Sequence, residues 1–327
     1  MAAEGNVWAL VLAAGEGSRL RSLTTAPSGT AVPKQFCSLF DGPTLLHEAL
    51  RRAQSLTDEA FTCAVVAAHH RRWWQDALEP LPPRNIIVQP RNCGTAVGIL
   101  LPLLHILRRD PQARVVLLPS DHLVQHESVL AESLVAALAQ LRWRRQQALL
   151  LGIEPEEVDP ELGYIVPGGP DGRGAMRVQR FVEKPSLSEA RGLIGDGALW
   201  NAFIVVARAQ ALLELFRNRI GSVVTAMEAA VTADRELPQA RTVAAMYEQL
   251  PTVDFSRDIV AGQEEAFRVV AVPKCGWSDL GTPQRVADVL RRVPQPQSGA
   301  RLRPGVAFLS LAAQHQRLHM LRGAAGA

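Results

Sequence analysis

The chain has 327 residues, a formal net charge of +3 and 47% hydrophobic against 20% charged residues, the proportions of a globular protein with core enough for one large domain or two smaller ones. So small a net charge gives no electrostatic footprint for nucleic acid or a membrane surface, and no apolar run approaches the ~20 residues that span a bilayer. The four cysteines, Cys37, Cys63, Cys93 and Cys275, show neither a CxxC pair nor metal-like spacing, which reads as a reduced, cytoplasmic protein.

In chain order, "VWALVLAA" is expected to be a first strand rather than a leader, because no basic segment precedes it and a glycine loop follows it. The runs "FTCAVVAA", "NIIVQ", "RVVLLPS", "ALLLGI" and "AFIVVA" are near-continuously apolar, as strands buried on both faces are. Amphipathic stretches such as "PTLLHEALRRAQSL" and "ESVLAESLVAALAQLRWRRQQ" alternate with them. This predicts an α/β fold: a Rossmann-like, mostly parallel (mixed) sheet flanked by helices, with functional loops at the carboxyl ends of its strands. The middle, "EPEEVDPELGYIVPGGPDGRGAMRVQRFVEKP", is rich in Gly, Pro and acidic residues and predicts a small antiparallel lobe over the sheet edge. The expected organisation is one domain over 1–292, with the lobe inserted at about 154–205, and a tail over 293–327 that is either an added helix or loosely held.

Several features have plain structural readings. The clusters "LRRD" and "LRWRRQQ" read as solvated helix ends, His69 and His70 as surface groups, and Trp73 and Trp74 as a helix half in the core. Asp254 and Asp258 read as helix-start residues. His315 and His319 are four apart but have no third ligand near. Monomer and homo-oligomer are both left open.

The loop "GEGSRL" after the first strand is the sharpest feature, since Gly15 and Gly17 let backbone N–H groups approach a phosphate closely. A Walker loop is absent, and Leu20 stands where a dinucleotide fingerprint needs Gly or Ala. What remains is G-x-G-S-R-L followed at a distance by "PK", bringing Arg19 and Lys34 to a polyphosphate. Lysine occurs only three times among 35 basic residues, as Lys34, Lys184 and Lys274, so a retained lysine draws notice as a compact point charge. "VVLLPSDHL" and "VVAVPKCGWSDLGTP" each place a carboxylate, Asp121 and Asp279, after a buried strand. Each alone reads as a turn or capping residue; together with the glycine loop they suit a metal–triphosphate complex.

The ordered series "LAAGEGSRL", "VPKQF", "QPRNCGTA", "LLPSDHL", "ELGYIVPG", "RFVEKP", "LWNAFI" and "GWSDLGTP" resembles the sugar-phosphate nucleotidyltransferases, most closely their mannose-1-phosphate guanylyltransferase branch, from about residue 7 to about residue 290. The resemblance implies transfer of a nucleotidyl group from a nucleoside triphosphate, GTP in this branch, to a hexose 1-phosphate such as mannose 1-phosphate. It implies Ala14, Gly15, Gly17, Ser18 and Arg19 around the triphosphate and Lys34 near the α-phosphate. Gln89, Asn92, Gly94 and Thr95 would face base and ribose, and Asp121 and Asp279 would hold Mg²⁺. Gly163, Tyr164, Glu183, Lys184 and Asn201 would form the sugar-phosphate pocket. The stretch between Arg19 and Pro33 is longer than in the usual loop, "NCGTA" replaces "NTAP", and "WNAF" replaces "WNSG", which bears on the identity of the sugar. A uridylyl- or thymidylyltransferase acting on glucose 1-phosphate, and a non-catalytic sugar-nucleotide sensor, are the alternative readings.

Overall fold

The computed structural model describes residues 5–25, 29–39, 42–236 and 241–292; the tail assigned to 293–327, with His315 and His319, lies outside them. Nine strands form one sheet: β1 (Val7–Ala13), β2 (Thr62–Ala67), β3 (Ile86–Gln89), β4 (Arg114–Pro119), β5 (Ala148–Ile153), β6 (Gly163–Pro170), β7 (Met176–Glu183), β8 (Leu199–Arg208) and β9 (Phe267–Val272), in the order β3-β2-β1-β4-β8-β5-β9-β7-β6. The α-helices are α1 (Arg21–Thr24), α2 (Leu45–Gln54), α3 (Arg71–Trp74), α4 (Gly94–Arg109), α5 (Glu127–Gln140), α6 (Leu187–Gly195), α7 (Ala209–Glu236, kinked at Ile220), α8 (Thr242–Tyr247) and α9 (Pro283–Arg292).

β1 shows why the sheet is covered on both sides. Ala9, Val11 and Ala13 join one apolar cluster with Leu46 of α2, Leu134 of α5 and Val286 of α9. Trp8 and Leu10 face the other way, into a cluster with Ile99 and Leu103 of α4 and Phe216 of α7. Each fully buried side chain of this size contributes about 1.5–3 kcal/mol, so neither face can be left to solvent. Among the described residues all four cysteines are free and buried, and no helix is long and apolar enough to cross a membrane.

β1 is flanked by parallel β2 and β4, and β2 by parallel β3. β8 then enters antiparallel between β4 and β5, and β5 pairs in parallel with β9. β4, β5 and β9 therefore still run the same way as β1, and their carboxyl ends share one edge of the sheet. β6 and β7 pair antiparallel, and they continue the main sheet through Met176↔Val269 and Tyr164↔Trp200.

The cluster "LRWRRQQ" is a solvated helix end for the most part: a 3-10 turn over Leu141–Trp143 follows α5, and Arg142, Trp143 and Arg145 are exposed; Arg144 is the exception, buried against the Asp171 carboxylate and the Gln140 amide. The carboxylate of the lobe draws the guanidinium in, because a buried cation needs a partner. His70 is not a surface group; it is buried, stacked edge-on against Phe36, whereas His69 is exposed.

The start of α4 is set by Gly94. Its φ of +88° is left-handed, and a Cβ there would lie 2.2 Å from the Val253 carbonyl oxygen. That carbonyl accepts from the Ala96 N–H at 3.0 Å while the Val253 N–H donates to Cys93 O at 3.0 Å, so the two segments are zipped backbone to backbone. Gly94→Ala is expected to lower stability by about 1–3 kcal/mol, read as a reduced urea midpoint with an unchanged slope.

Candidate active site

A cavity of about 330 Å³ opens at the shared carboxyl edge of the strands. Parallel β1 and β4 deliver the loops bearing Gly15 and Asp121, and β9 delivers Asp279. The last two loops are tied directly: the Leu123 N–H donates to Ser278 O at 2.9 Å and the Ser278 N–H to Leu123 O at 3.0 Å.

The glycine loop is shaped by contacts with the "PKQF" segment. Gly17 has φ +60°, and a Cβ there would lie 2.8 Å from the backbone N of Lys34. The Gln35 amide donates to Ala13 O at 3.2 Å and to Gly15 O at 2.8 Å, fixing the carbonyls where strand becomes loop. Lys34 itself is buried. Its ammonium lies 2.8 Å from Asp121 Oδ2 and donates to the Asp279 carbonyl oxygen at 2.6 Å, joining three loops at one charge.

Of the residues proposed from sequence, Ala14, Gly15, Arg19, Gln89, Asn92, Gly94, Thr95, Asp121, Gly163, Glu183, Lys184, Asn201 and Asp279 line this one cavity. Gly17, Ser18, Lys34 and Tyr164 do not. Tyr164 is a correction: it is fully buried, with its hydroxyl donating to Asp159 O at 3.0 Å and accepting from the Asp159 N–H at 3.1 Å, so it cannot lie along a sugar. Alternation along β6 turns Tyr164 into the core while neighbouring Gly163 faces the cavity. Lys34 stands behind Asp121, and Gly17 and Ser18 serve the turn. Thr95 turns its hydroxyl to the Phe255 N–H at 2.7 Å and to Asp254 Oδ2 at 3.3 Å.

The cavity also holds residues that the sequence did not assign to the site: Gln35, Glu161, Phe203, Ser256 and Trp277, together with Asp254, read chiefly as a helix start and only secondarily as a site residue. Asp254 does cap a turn, accepting from the Arg257 N–H at 2.9 Å, but it also lines the cavity together with Glu183. Burial, followed by the Asp254 charge, pushes the Glu183 carboxyl above its usual range. Burial would likewise raise Asp121, but the Lys34 ammonium, aided by His122, holds its carboxyl below the ordinary carboxylate range. Burial takes the His122 imidazole down to about 4, so it is neutral near pH 7.

Charge bookkeeping points to what the cavity accepts. Its walls carry five carboxylates, Asp121, Glu161, Glu183, Asp254 and Asp279, against the two cations Arg19 and Lys184. A polyphosphate would meet net repulsion there unless a divalent cation came with it. Asp121 and Asp279 supply hard oxygen donors from adjoining loops, a donor set that fits Mg²⁺. The Arg19–Glu161 pair, 3.2 Å apart and about half exposed on both sides, is of the weak surface kind, worth about 0–1 kcal/mol, so the guanidinium is free to exchange its partner for a phosphate.

Arg285 of α9 is a further group that sequence reasoning missed. It is buried, lying 2.9 Å from Asp159 Oδ2 and in contact with Asp279 Oδ1. It links the carboxylate after β9 to the loop that carries Glu161. Arg285→Met leaves both carboxylates without their cation and is expected to destabilise the fold by about 3–5 kcal/mol, seen as a thermal midpoint several degrees lower.

The chain belongs to the nucleotidyl transferase family, whose model matches residues 8–295. It is 28% identical over 288 residues to the xanthan biosynthesis protein XanB of Xanthomonas campestris, an alignment covering 87% of this chain and 59% of that one. It is also 28% identical over 290 residues to a mannose-1-phosphate guanylyltransferase of Escherichia coli, covering 86% of this chain and 59% of the other. The chain thus spans 59% of the length of both relatives. A Thermus thermophilus crystal structure described as a mannose-1-phosphate geranyltransferase superimposes with a TM-score of 0.73 at 27% identity, covering 88% of this chain and 80% of that one.

Proposed function

We propose that this cavity transfers a nucleotidyl group from a nucleoside triphosphate to a hexose 1-phosphate, releasing pyrophosphate, with GTP and mannose 1-phosphate as the preferred pair. The observation that carries the reading is the convergence of Asp121, Asp279, the glycine loop and Arg19 on one cavity, with Lys34 binding the two carboxylate loops together. A binding module would have no need of two carboxylates poised against a polyphosphate.

The sugar-phosphate oxygen attacks the α-phosphorus, and the bond from that phosphorus to the bridging oxygen of the β-phosphate breaks. The nucleophile is already ionised, so no general base is required; alignment and charge neutralisation carry the reaction. Mg²⁺, held by Asp121 and Asp279, would supply the charge that offsets repulsion between the two phosphate-bearing reactants. Backbone N–H groups at Ala14 and Gly15 face the triphosphate, and Arg19 leaves Glu161 to stabilise the departing pyrophosphate. Lys34 acts as a positioning residue: it holds Asp121 ionised and fixes Asp279. Lys184 meets the sugar's phosphate, while Glu183 and Asn201 meet its hydroxyls.

Base choice draws on Gln89, whose buried Oε1 has no hydrogen-bond partner among the described residues. An edge bearing two N–H donors, as guanine has, suits such an acceptor better than uracil with one. The mannose assignment leans on the relatives' names and on the "PKQF" pattern. With buried reduced cysteines and no spanning helix among the described residues, the reading also includes a cytoplasmic location, with small-molecule partners only.

The test is pyrophosphate release with Mg²⁺ across four nucleoside triphosphates and several hexose 1-phosphates, with the largest signal expected for GTP and mannose 1-phosphate. A different best pair would correct the substrates, and silence in folded protein would leave a sensor. Lys34→Met is expected to lower kcat by roughly 100-fold or more with KM changed much less; a large KM effect at intact kcat would remove Lys34 from this role. Phe203→Gly, at the sugar end, is expected to change the ranking of hexose 1-phosphates by kcat/KM while leaving the KM for the triphosphate within about twofold.

A further inference from the structure

Outside the cavity, on the far side of the glycine loop, three potential ligands meet. Glu16, His69 and His70 each offer one atom, and these atoms lie within 4.8 Å of one another. We propose that they form a binding site for a zinc-class divalent transition metal that clamps the glycine loop onto the turn following β2.

The distances suit that class. His69 Nε2 lies 3.1 Å from Glu16 Oε1 and His70 Nε2 lies 3.7 Å from Glu16 Oε2. In a tetrahedral zinc site with bonds of ~2.0–2.1 Å, neighbouring ligand atoms sit roughly 3.4 Å apart, between the two observed values. Two imidazoles and one carboxylate form a zinc donor set that leaves a fourth position for water, and here that position faces a second cavity lined by Glu16, Arg21, His69, His70, Arg72 and Trp73.

An independent observation comes from His70. Its side chain is 4% exposed, its Nδ1 is buried without a partner, and its Nε2 is too far from Glu16 for a hydrogen bond. An imidazole whose Nδ1 is buried without a partner gains little from the protein around it, and a metal on Nε2 would give the ring a bond that holds it in place. Arg21 and Arg72 oppose a cation, although Arg72 is turned onto the Trp73 ring at 4.0 Å. Their charges favour a metal held by directional nitrogen bonds over a hard ion held by charge alone.

Glu16 stands between Gly15, which lines the nucleotide cavity, and Gly17, which packs on Lys34. Metal bound here would fix the loop from outside, whether or not the cavity transfers nucleotides.

The test is Zn²⁺ binding to the full chain by competition with a chromophoric chelator, in excess Mg²⁺, with Co²⁺ absorption reporting tetrahedral geometry. One equivalent is expected in the wild type and in Asp121→Asn, with affinity reduced at least about tenfold in His69→Ala and in Glu16→Gln. Zn²⁺ should also slow amide hydrogen exchange over residues 14–19 in the wild type and not in His69→Ala. His69 is half exposed, so its replacement should leave the circular dichroism spectrum unchanged. No stoichiometric binding, binding indifferent to His69→Ala, or binding lost in an Asp121→Asn protein whose circular dichroism is unchanged would each overturn the proposal.

Discussion

The site depends on one buried charge. Lys34 carries its ammonium at 6% exposure to a point between Asp121 Oδ2 and the Asp279 carbonyl oxygen. A lysine so enclosed is tolerable only with partners, and its partners are the ends of two strands that never pair with each other in the sheet. The glycine loop follows from the same charge. Gly17 must lack a Cβ because the backbone of Lys34 lies against it, and Gln35, next in sequence, holds the loop's carbonyls. A single short segment, "PKQF", therefore sets the relative position of nucleotide loop and carboxylates.

Three charged groups on the cavity wall each rest on a partner. Arg19 rests on Glu161, Asp279 on Arg285 and Asp121 on Lys34. Only the first pair is exposed on both sides and weak; Arg285 and Asp279 are both buried, and Lys34 is buried against an Asp121 that is partly open to the cavity, so breaking either of these pairs is costly. Of these three pairs, the cation that can move to a phosphate is thus Arg19 on the glycine loop, while the carboxylates stay where they are. Fixed anions and an exchangeable cation are a sensible division for a site proposed to admit a polyanion together with a metal.

Much of this was legible in the sequence because it lies in local pattern. Continuous apolar runs gave β1 to β5, and "GEGSRL", "PSDHL" and "GWSDLGTP" marked the loops that meet at the cavity. What escaped depends on pairing or on long-range charge. The antiparallel entry of β8 between β4 and β5 has no signature in β8 itself, whose apolar run suits either direction. Tyr164 was placed by motif, but strand alternation turns it into the core. Arg144, Arg285 and His70 look like surface groups in sequence, and each is buried by a partner or a packing surface far along the chain.

Phe203 shows where local rules yield to the site. It adopts φ +55° inside β8, a conformation costing a bulky residue about 1–3 kcal/mol. The strand is irregular here, since the register with β5 shifts between Leu150 and Gly152, and Asn201 Oδ1 accepts the Phe203 N–H at 3.1 Å to hold the turn. Such bulges re-aim side chains, and this one sends both Asn201 and Phe203 to the cavity wall. Glycine, which the resemblance would put at this position, meets the backbone demand without strain. A phenylalanine there must be justified by its ring, which packs 5.8 Å from Phe255 and lines the cavity beside Asn201.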